Sequence, residues 1–385
     1  MNIILSIARI FCFSVSVFFY YFQVPYIEYA RYITIGLAVF LLLDIRKAFK
    51  IFTITPKSGL LYTALIILSS LNLLWSIANG TELANAFRFY LIVMLIPLCP
   101  FFVNCESGLL YKIFCTLSLG KAIMLIVLAA MVIQAGSYSE LRIWAQTNNY
   151  GDIYTVFDVY TVFDTIPRVQ LKGNALLVIA FMVSFYKNRK FTLYNLIILL
   201  SVVCAGNLAF LGGIALFFGW LYFKQIDLKH LKITDLLAGT IVALFLAGFC
   251  VYAGNQVALK GGLGSDGDLS SSNGMRYGQF QILTDTNALC GRGFGSSVPD
   301  AVYLGRSPDS QYYELQTLYI YYQVGLVILL LFIYLSLNTS RQSYSKDGFM
   351  VFIIYLMFSF FNPYCMDSTQ MITMILLGSQ FPKDS

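Results

Sequence analysis

The chain has 385 residues, of which 58% are hydrophobic and only 11% are charged, with 25 Lys and Arg against 19 Asp and Glu. Soluble domains carry about 25% charged residues, so this composition, with a mean hydropathy of +0.74, predicts an integral membrane protein. Disordered, collagen-like, coiled-coil and nucleic-acid-binding classes are excluded, and the formal charge of +6 is expected to lie mainly in cytoplasmic loops.

Apolar stretches near the roughly 20 residues that a bilayer requires predict an all-α polytopic chain, a single integral membrane domain over 1–385. Twelve spans are predicted, at 3–22, 29–43, 59–77, 84–103, 109–134, 171–186, 191–206, 208–223, 233–253, 314–335, 348–361 and 369–381. The first is interpreted as a retained span, because no short A-x-A-like cleavage site follows it. Gly206 and Asn207 permit either a tight hairpin or a break in one long helix. The cysteines fall mostly inside apolar runs and form no C-x-x-C pair, which indicates core residues rather than metal ligands.

The distribution of Lys and Arg predicts the orientation. The segments 44–57 and 224–232 are basic, whereas the short loops 23–28, 78–83 and 362–368 hold no base. The positive-inside rule therefore places both termini in the cytoplasm. Two long external loops follow from this topology, at 135–170 and 254–313, and they hold most of the polar residues.

The first long loop contains a tandem echo and ends in a basic motif. Asp152-Ile-Tyr-Thr-Val-Phe-Asp158 is repeated at once over 158–164; its alternation fits a strand, and its aromatic residues fit either sugar stacking or a locally packed lid. Arg168 and Lys172 then stand four residues apart before Gly173. Two cations at the start of a helix oppose its dipole unless an anion binds there.

The second long loop contains a G-x-G-x-G run. Gly291, Gly293 and Gly295 permit positive φ angles and a close approach of backbone N–H groups to an oxyanion, while Arg276 and Arg292 suit bidentate contact with a phosphate. The alternative is a turn with arginines that extend to the membrane surface. Asp266 and Asp268 form a D-x-D pair in a Gly- and Ser-rich stretch, and we expect solvated loop residues there rather than a metal site.

The point where this loop re-enters the membrane holds a carboxylate and several tyrosines. Glu314 lies near a predicted helix N-terminus, where it serves either as a helix cap or as a base that accepts the proton of an attacking hydroxyl. Tyr312, Tyr313 and Tyr319 fit a sugar site or an aromatic belt at the membrane surface.

Four cations fall within or near predicted spans. A cation in the bilayer usually faces a partner or a water-filled cavity; Arg9 and Arg31 lie close enough to span ends to snorkel, so Arg88 and Lys121 are the stronger functional candidates. The sole histidine, His230, falls in a basic cytoplasmic loop. No Walker sequence is present, which disfavours ATP hydrolysis.

Five features of the sequence are typical of one family. They are the dozen spans, the two long loops, the Arg168-x-x-x-Lys172-Gly173 motif, Arg276 upstream of the glycine run, and Tyr313-Glu314-Leu-Gln-Thr-Leu-Tyr319 leading to Gly325. In this combination the chain resembles the superfamily of bacterial O-antigen polymerases and O-antigen ligases. The resemblance covers most of the chain as architecture and is specific only in the two loops.

This resemblance implies a metal-independent glycosyltransferase with a GT-C-like helical fold and no cofactor, in the bacterial inner membrane. Its substrate would be undecaprenyl-diphosphate-linked oligosaccharide. Membrane lipid, a chain-length regulator and a flippase are the implied partners, and no nucleic acid is expected. A polymerase transfers the growing glycan from its lipid diphosphate to the terminal sugar of a new lipid-linked repeat.

Residue roles follow from that chemistry. Arg276, Arg168 and Glu314 are the predicted catalytic residues. Lys172, Arg292 and the three glycines are predicted to bind the diphosphate. The cations among them are expected to stabilise the charge that develops on the leaving group. Ligases carry a histidine near the end of the second loop, and its absence here favours the polymerase. A lipid-linked oligosaccharide flippase is the other alternative, although it should show matched broken helices in two repeat halves.

Overall fold

A computed structural model describes residues 3–22, 29–54, 56–102, 107–135, 154–156, 168–171, 173–225, 240, 248, 251, 272–286, 288–304, 313, 315–360, 362 and 364–383. This part of the chain is mostly helical. In chain order the helices are α1 (Ile3–Phe22), α2 (Tyr29–Leu42), α3 (Ile45–Ala48), α4 (Lys50–Ile54), α5 (Pro56–Ala78), α6 (Leu83–Leu95), α7 (Ser107–Ala135), α8 (Asn174–Asn188), α9 (Leu193–Ala205), α10 (Leu208–Gln225), α11 (Ser272–Thr284), α12 (Gln316–Ser343), α13 (Lys346–Ser359) and α14 (Ser368–Gln380). Two 3₁₀ helices, Ile96–Phe101 and Pro299–Leu304, and two short strands, β1 (Tyr154–Val156) and β2 (Arg168–Gln170), complete the described elements.

Five described helices are long and apolar enough to cross a membrane, judged by length and composition: Ile3–Phe22, Lys57–Ala78, Leu83–Phe101, Gly108–Gln134 and Gln316–Ser343. Shorter apolar helices accompany them at Arg31–Leu42, Asn174–Asn188, Leu193–Ala205 and Leu208–Lys224. The chain is thus compatible with an all-α membrane protein. The number of twelve spans and the GT-C-like arrangement stay predictions, and the predicted span 233–253 lies almost entirely outside the described residues.

The core is built around α8 and α14. Every residue from Asn174 to Ser184 in α8 and from Ser368 to Ser379 in α14 is buried, as expected for helices that are surrounded on all sides. Helix α14 packs against the 3₁₀ helix Ile96–Phe101 and against α7, α8 and α13. Outer helices such as α5 leave large side chains uncovered, among them Leu60, Leu71 and Leu74, which suits a surface in contact with lipid.

The junction between α9 and α10 separates two helices. Gly206 ends α9 in the left-handed conformation with φ 60°, and the Asn207 side chain accepts a hydrogen bond from Ala209 N–H at 3.0 Å, as a helix N-cap does. Helix α9 then packs on α7 and α8, whereas α10 packs mainly on α13. One continuous helix across this point is therefore excluded.

Helix α12 is longer than the predicted span 314–335, and it is broken inside. Gly325 adopts φ 72° and ψ 178°, far from helical values. The residues that follow α11 fill the gap: Arg292 N–H donates to Tyr322 O and Gly293 N–H to Gln323 O, both at 2.8 Å, and Leu326 N–H donates to Ala288 O at 2.7 Å. Backbone groups freed by a helix break must find partners within the protein at membrane depth, and here the loop supplies them.

The strand prediction for the tandem echo holds for the three described residues of β1. They pair antiparallel with β2, Tyr154 opposite Gln170 and Val156 opposite Arg168. Arg168 is therefore in a strand, and α8 begins only at Asn174. The expected conflict between Arg168 and a helix dipole is wrong, because Arg168 does not lie in the first turn of the helix. The side chain of Arg168, like all of Lys172, is outside the described residues.

The helical body has two distinct ends. At the first, called here the site end, α6, α12 and α14 begin and α1 and α5 finish. At the opposite, basic end, Lys187 contacts Gln380 and the Tyr111 ring, and Lys224 pairs with Asp347 at 2.5 Å. Long-range contacts of this kind join the segments that the sequence predicts to be cytoplasmic.

Candidate functional site

Two neighbouring features occupy the site end: a polar cluster around Asp367 and a cavity between α5 and α12. The Asp367 cluster consists of Tyr20, Arg88, Tyr319, Asp367 and Thr369. Tyr20 comes from the end of α1, Arg88 from α6, Tyr319 from α12, and Asp367 and Thr369 from the start of α14. Helices distant in sequence therefore bring these side chains together.

Asp367 is the N-cap of α14. Its carboxylate accepts hydrogen bonds from Thr369 N–H at 2.7 Å, from the Thr369 hydroxyl at 2.9 Å and from Gln370 N–H at 3.4 Å. The Thr369 hydroxyl also bonds the phenol of Tyr20. These contacts hold the carboxylate in one orientation, with its oxygens directed at the head of the central helix.

The ionised form of Asp367 is disfavoured by burial. Burial raises the pKa of its carboxyl to about 6 from the ordinary 3.8, although the Thr369 hydrogen bonds and the charge of Arg88 act in the opposite direction. Removal of a carboxylate from water disfavours the charged form. The outcome is a carboxyl that exchanges its proton close to neutral pH, which is what a general base requires.

Arg88 supports the expectation that a cation inside a span faces a partner. Its guanidinium lies 5.0 Å from the Phe89 ring centroid, and its charge acts on both Asp367 and Tyr319.

Lys121 is also buried, and its ammonium donates to Tyr21 O at 2.7 Å. Arg9 does not snorkel as predicted: it is 1% exposed and pairs with Asp44 at 3.3 Å. Arg31 is partly exposed and pairs with Glu82 at 3.0 Å.

The tyrosines at the re-entry point are packed inside the protein. The rings of Tyr313 and Tyr319 lie 4.6 Å apart, and Tyr319 meets Phe89 edge-on at 5.6 Å. Both tyrosines have no exposed surface, and the Tyr319 hydroxyl donates to Ser296 O at 3.2 Å. Full burial does not fit the sugar-stacking role predicted for these two rings. Tyr312 and Glu314 fall outside the described residues, so their predicted roles stay predictions.

The glycine run has the predicted backbone geometry but a different environment. Gly291, Gly293 and Gly295 have φ angles of 66°, 107° and 68°. A Cβ on Gly293 would lie 2.9 Å from Ser76 Cα, and one on Gly295 would lie 2.7 Å from Ala86 N. The glycines therefore let the loop pack tightly against α5, α6 and the break in α12.

The N–H groups of this loop are bonded within the protein. Those of Arg292 and Gly293 donate to α12 carbonyls, Phe294 N–H donates to Asn72 Oδ1 at 3.1 Å, and Gly295 N–H donates to Gln323 Oε1 at 2.9 Å. Four consecutive donors are thus occupied. A diphosphate cradle built from them does not fit this arrangement, and the loop instead closes the helix break.

The cavity between α5 and α12 has a volume of about 1500 Å³. Its wall includes Trp75, Asn79, Asp285, Asp300 and Arg292. Arg292 is exposed at this wall. Asp285 and Asp300 share its surroundings, since all three charges act on the Tyr322 hydroxyl. Ser296, also on the wall, accepts the Tyr319 hydrogen bond and so joins the cavity to the Asp367 cluster.

Arg276 and Arg168 approach the site end from two other elements. Arg276 is half-buried on α11, one turn before Gln279, whose Oε1 accepts Leu315 N–H at 3.3 Å. The segment after Arg168 reaches α1, because a Cβ on Gly173 would lie 3.1 Å from Tyr20 O. Both arginines therefore belong to elements that pack against the re-entry segment or the Asp367 cluster.

Comparison of the chain with protein-family models, with curated proteins and with solved structures gives no match. The resemblance to the O-antigen polymerase and ligase superfamily therefore stays a prediction.

Sequence reasoning missed Asp367 and Trp75. Asp367 precedes Ser368-Thr369 at the start of a short apolar helix, which is the ordinary pattern of an N-cap. The available signal was its position, as a lone carboxylate in a short loop predicted to be external. Trp75 lies in an apolar run near a span end, where a membrane-surface tryptophan is the common interpretation.

Proposed function

We propose that this protein is a surface-polysaccharide polymerase, which transfers a glycan from a lipid diphosphate to the terminal sugar of a lipid-linked repeat at the outer face of the cytoplasmic membrane. The observation that carries the proposal is the Asp367 cluster: a carboxyl that keeps only partial contact with solvent, has a pKa of about 6 and feels the charge of Arg88. Apolar helices suited to a membrane surround it, and the sequence lacks a Walker motif for ATP.

The reaction matches these groups. A hydroxyl of the acceptor sugar attacks the anomeric carbon of the donor glycan, and the bond from that carbon to the diphosphate oxygen breaks. Asp367 takes the proton of the hydroxyl. The bonding electrons leave with the diphosphate, whose growing charge is stabilised by cations, for which Arg88 and Arg276 are the described candidates. The donor already stores the energy for transfer.

A transporter is the second candidate, because broken helices line the substrate sites of many secondary transporters. The break at Gly325 is the observation that favours it. In such transporters the freed carbonyls contact the substrate or ion, whereas here those of Tyr322 and Gln323 accept hydrogen bonds from the glycine loop. This difference favours the polymerase.

The lipid-linked glycan profile of a strain that lacks the protein tests the proposal. A polymerase defect leaves single repeats on the lipid carrier at the outer face. A ligase defect would leave long polymer on the carrier, and a flippase defect would leave single repeats that reagents outside the membrane cannot reach. Either of the last two profiles would overturn the proposal.

A further inference from the structure

The cavity between α5 and α12 opens onto the exposed apolar surface of these two helices. Leu71, Trp75 and Val327 line it, and all three side chains are exposed. Leu74 of α5 and Leu330 of α12 are also exposed and continue this surface along the helices. Exposed apolar surface of this kind suits contact with acyl chains. A ligand of the cavity can therefore keep an apolar part in the bilayer.

The opposite wall of the cavity carries charge. Asp285 follows α11, Arg292 lies in the glycine loop and Asp300 belongs to the 3₁₀ helix Pro299–Leu304, and all three line the cavity. Their charges share one neighbourhood, because all of them act on the Tyr322 hydroxyl. In the described part of the chain none of the three side chains forms an ion pair, so they remain available to a ligand.

The balance of these charges favours a ligand that has one phosphate and one ammonium. Glu82, the third carboxylate on the wall, is already paired with Arg31 at 3.0 Å, which leaves two carboxylates and one guanidinium. The guanidinium of Arg292 suits the oxygens of a phosphodiester. A diphosphate is disfavoured, because one guanidinium beside two carboxylates does not compensate its charge.

A primary ammonium suits the carboxylates better than other cations of similar size. It has three N–H donors, so it can bond Asp285 and Asp300 together. Trp75 adds the face of an indole ring, to which a cation is attracted. A quaternary ammonium would keep the attraction to the ring but would lose all three hydrogen bonds.

The size of the cavity fits a lipid rather than a small solute. Its volume of about 1500 Å³ exceeds the roughly 300–1,000 Å³ of ordinary small-molecule sites. Leu68 also lines it, and the helix rises about 10 Å from Leu68 to Trp75. The apolar wall is thus long enough to follow the first part of an acyl chain.

We propose that this cavity binds an aminophospholipid, a two-chain phospholipid whose headgroup carries a primary ammonium. Its phosphodiester binds Arg292, its ammonium binds Asp285 and Asp300, and an acyl chain lies along Leu71 and Val327. The site does not depend on the proposed reaction. It moves Arg292 from the predicted diphosphate to a lipid of the surrounding bilayer.

Native mass spectrometry of the delipidated full-length protein in detergent tests this site. The probes are three dioleoyl lipids that differ only in the headgroup: phosphatidylethanolamine, phosphatidylcholine and phosphatidylglycerol. Phosphatidylethanolamine should bind about tenfold more tightly than the other two, because the second lacks N–H donors and the third lacks a cation. Equal affinities, or a preference for phosphatidylglycerol, would overturn the proposal. Tighter binding of dioleoyl glucosyl diglyceride would assign the cavity to a sugar and would overturn it as well.

Variants assign the headgroup contacts. In the double variant Asp285→Asn, Asp300→Asn the preference for phosphatidylethanolamine over phosphatidylcholine should fall from about tenfold to less than about twofold. Arg292→Gln should weaken binding of both lipids by the same factor, since both carry a phosphodiester. Asp347→Asn removes a carboxylate at the basic end and should change neither affinity. An unchanged preference in the double variant would refute the assignment of the ammonium.

Thermal unfolding supplies a second measurement that does not require detection of the bound lipid. Phosphatidylethanolamine should raise the unfolding midpoint of the wild type and of Asp347→Asn, because a ligand of the folded state stabilises it. It should raise the midpoint of the double variant no more than phosphatidylcholine does. A full rise in the double variant would contradict the proposal, whatever the glycan profile of the deletion strain shows.

Discussion

Asp367→Asn should stop the proposed reaction while it makes the protein more stable. Asparagine caps a helix about as well as aspartate, so the start of α14 should survive, but an amide cannot take a proton from a sugar hydroxyl. Loss of a general base costs about 10²- to 10⁴-fold in rate, which is roughly 3–5 kcal/mol of transition-state stabilisation.

The expected stability gain follows from the raised pKa. The carboxyl titrates at about 6 in the folded protein against 3.8 in an ordinary environment, so the folded state binds the proton more tightly. Stability of the wild type should therefore fall as pH rises from about 4 to about 6 and stay low above that. The rise in the pKa of Asp367 from 3.8 to about 6 corresponds to roughly 3 kcal/mol, an upper value because Asp367 keeps some contact with solvent.

The asparagine variant should lack that fall. Its thermal unfolding midpoint in detergent should exceed that of the wild type above pH 6 and equal it near pH 4. Polymerisation should be measured as the length distribution of lipid-linked glycan in the deletion strain, with the amount of protein in the same membranes. In the wild type the rate should drop about tenfold per pH unit below 6.

Asp347→Asn provides the matched control, because Asp347 lies in the first turn of α13 at the basic end and pairs with Lys224. It should retain polymerisation. Wild-type chain lengths from Asp367→Asn would remove this carboxyl from the mechanism. A variant that is inactive because it is less stable than the wild type would refute the reasoning on burial and charge.

Four other outcomes are expected. Cysteines introduced into 135–170 and 254–313 should react with membrane-impermeant thiol reagents from outside, and those in 44–57 should not; the reverse pattern would invert the topology. EDTA should leave polymerisation intact, and a loss restored by a divalent ion would contradict a metal-independent reaction. Arg276→Ala should reduce polymerisation by two to three decades, and Arg276→Lys should stay impaired because a point charge cannot form two parallel hydrogen bonds; near-wild-type activity of the lysine variant would reduce its role to general positive potential. Gly325→Ala should deplete folded protein, because φ 72° with ψ 178° is almost confined to glycine; a normal amount would show that the break tolerates a side chain.

The helices were predictable because lipid and core impose simple rules on composition. Predicted starts and ends of α1, α2, α7, α9 and α10 agree with the structure to within a few residues, since apolar runs must end where polar or basic residues begin. The break in α12 was not predictable in the same way. A glycine in an apolar run is common in membrane helices, and only the loop that bonds the freed carbonyls shows that the helix is interrupted.

The glycine run shows how a motif can specify geometry without specifying a ligand. Positive φ at Gly291, Gly293 and Gly295 followed from residue type. The partners of the loop, however, are set by long-range packing: α5 and α6 lie more than a hundred residues before it in the sequence, and α12 follows it. Asn72 of α5 is an example, because its side chain accepts a hydrogen bond from Phe294 N–H and donates one to Cys290 O. Such an asparagine has no local signal that marks it as a loop anchor.

The same dependence on long-range packing explains why Asp367 was missed and why it is the most informative residue of the site. A carboxylate at a helix N-terminus is stabilised by the helix dipole and by N–H donors, and both favour a low pKa. Only enclosure by α1, α6 and α12 reverses that tendency, and none of these helices is near residue 367 in the sequence. An uncharged side chain is sufficient to cap a helix, since the hydroxyl of Ser345 caps α13. A protein that needed only a cap at residue 367 would therefore have no reason to bury a charged group there. The cost of keeping a carboxylate at this position therefore favours a chemical role for Asp367 over a purely structural one.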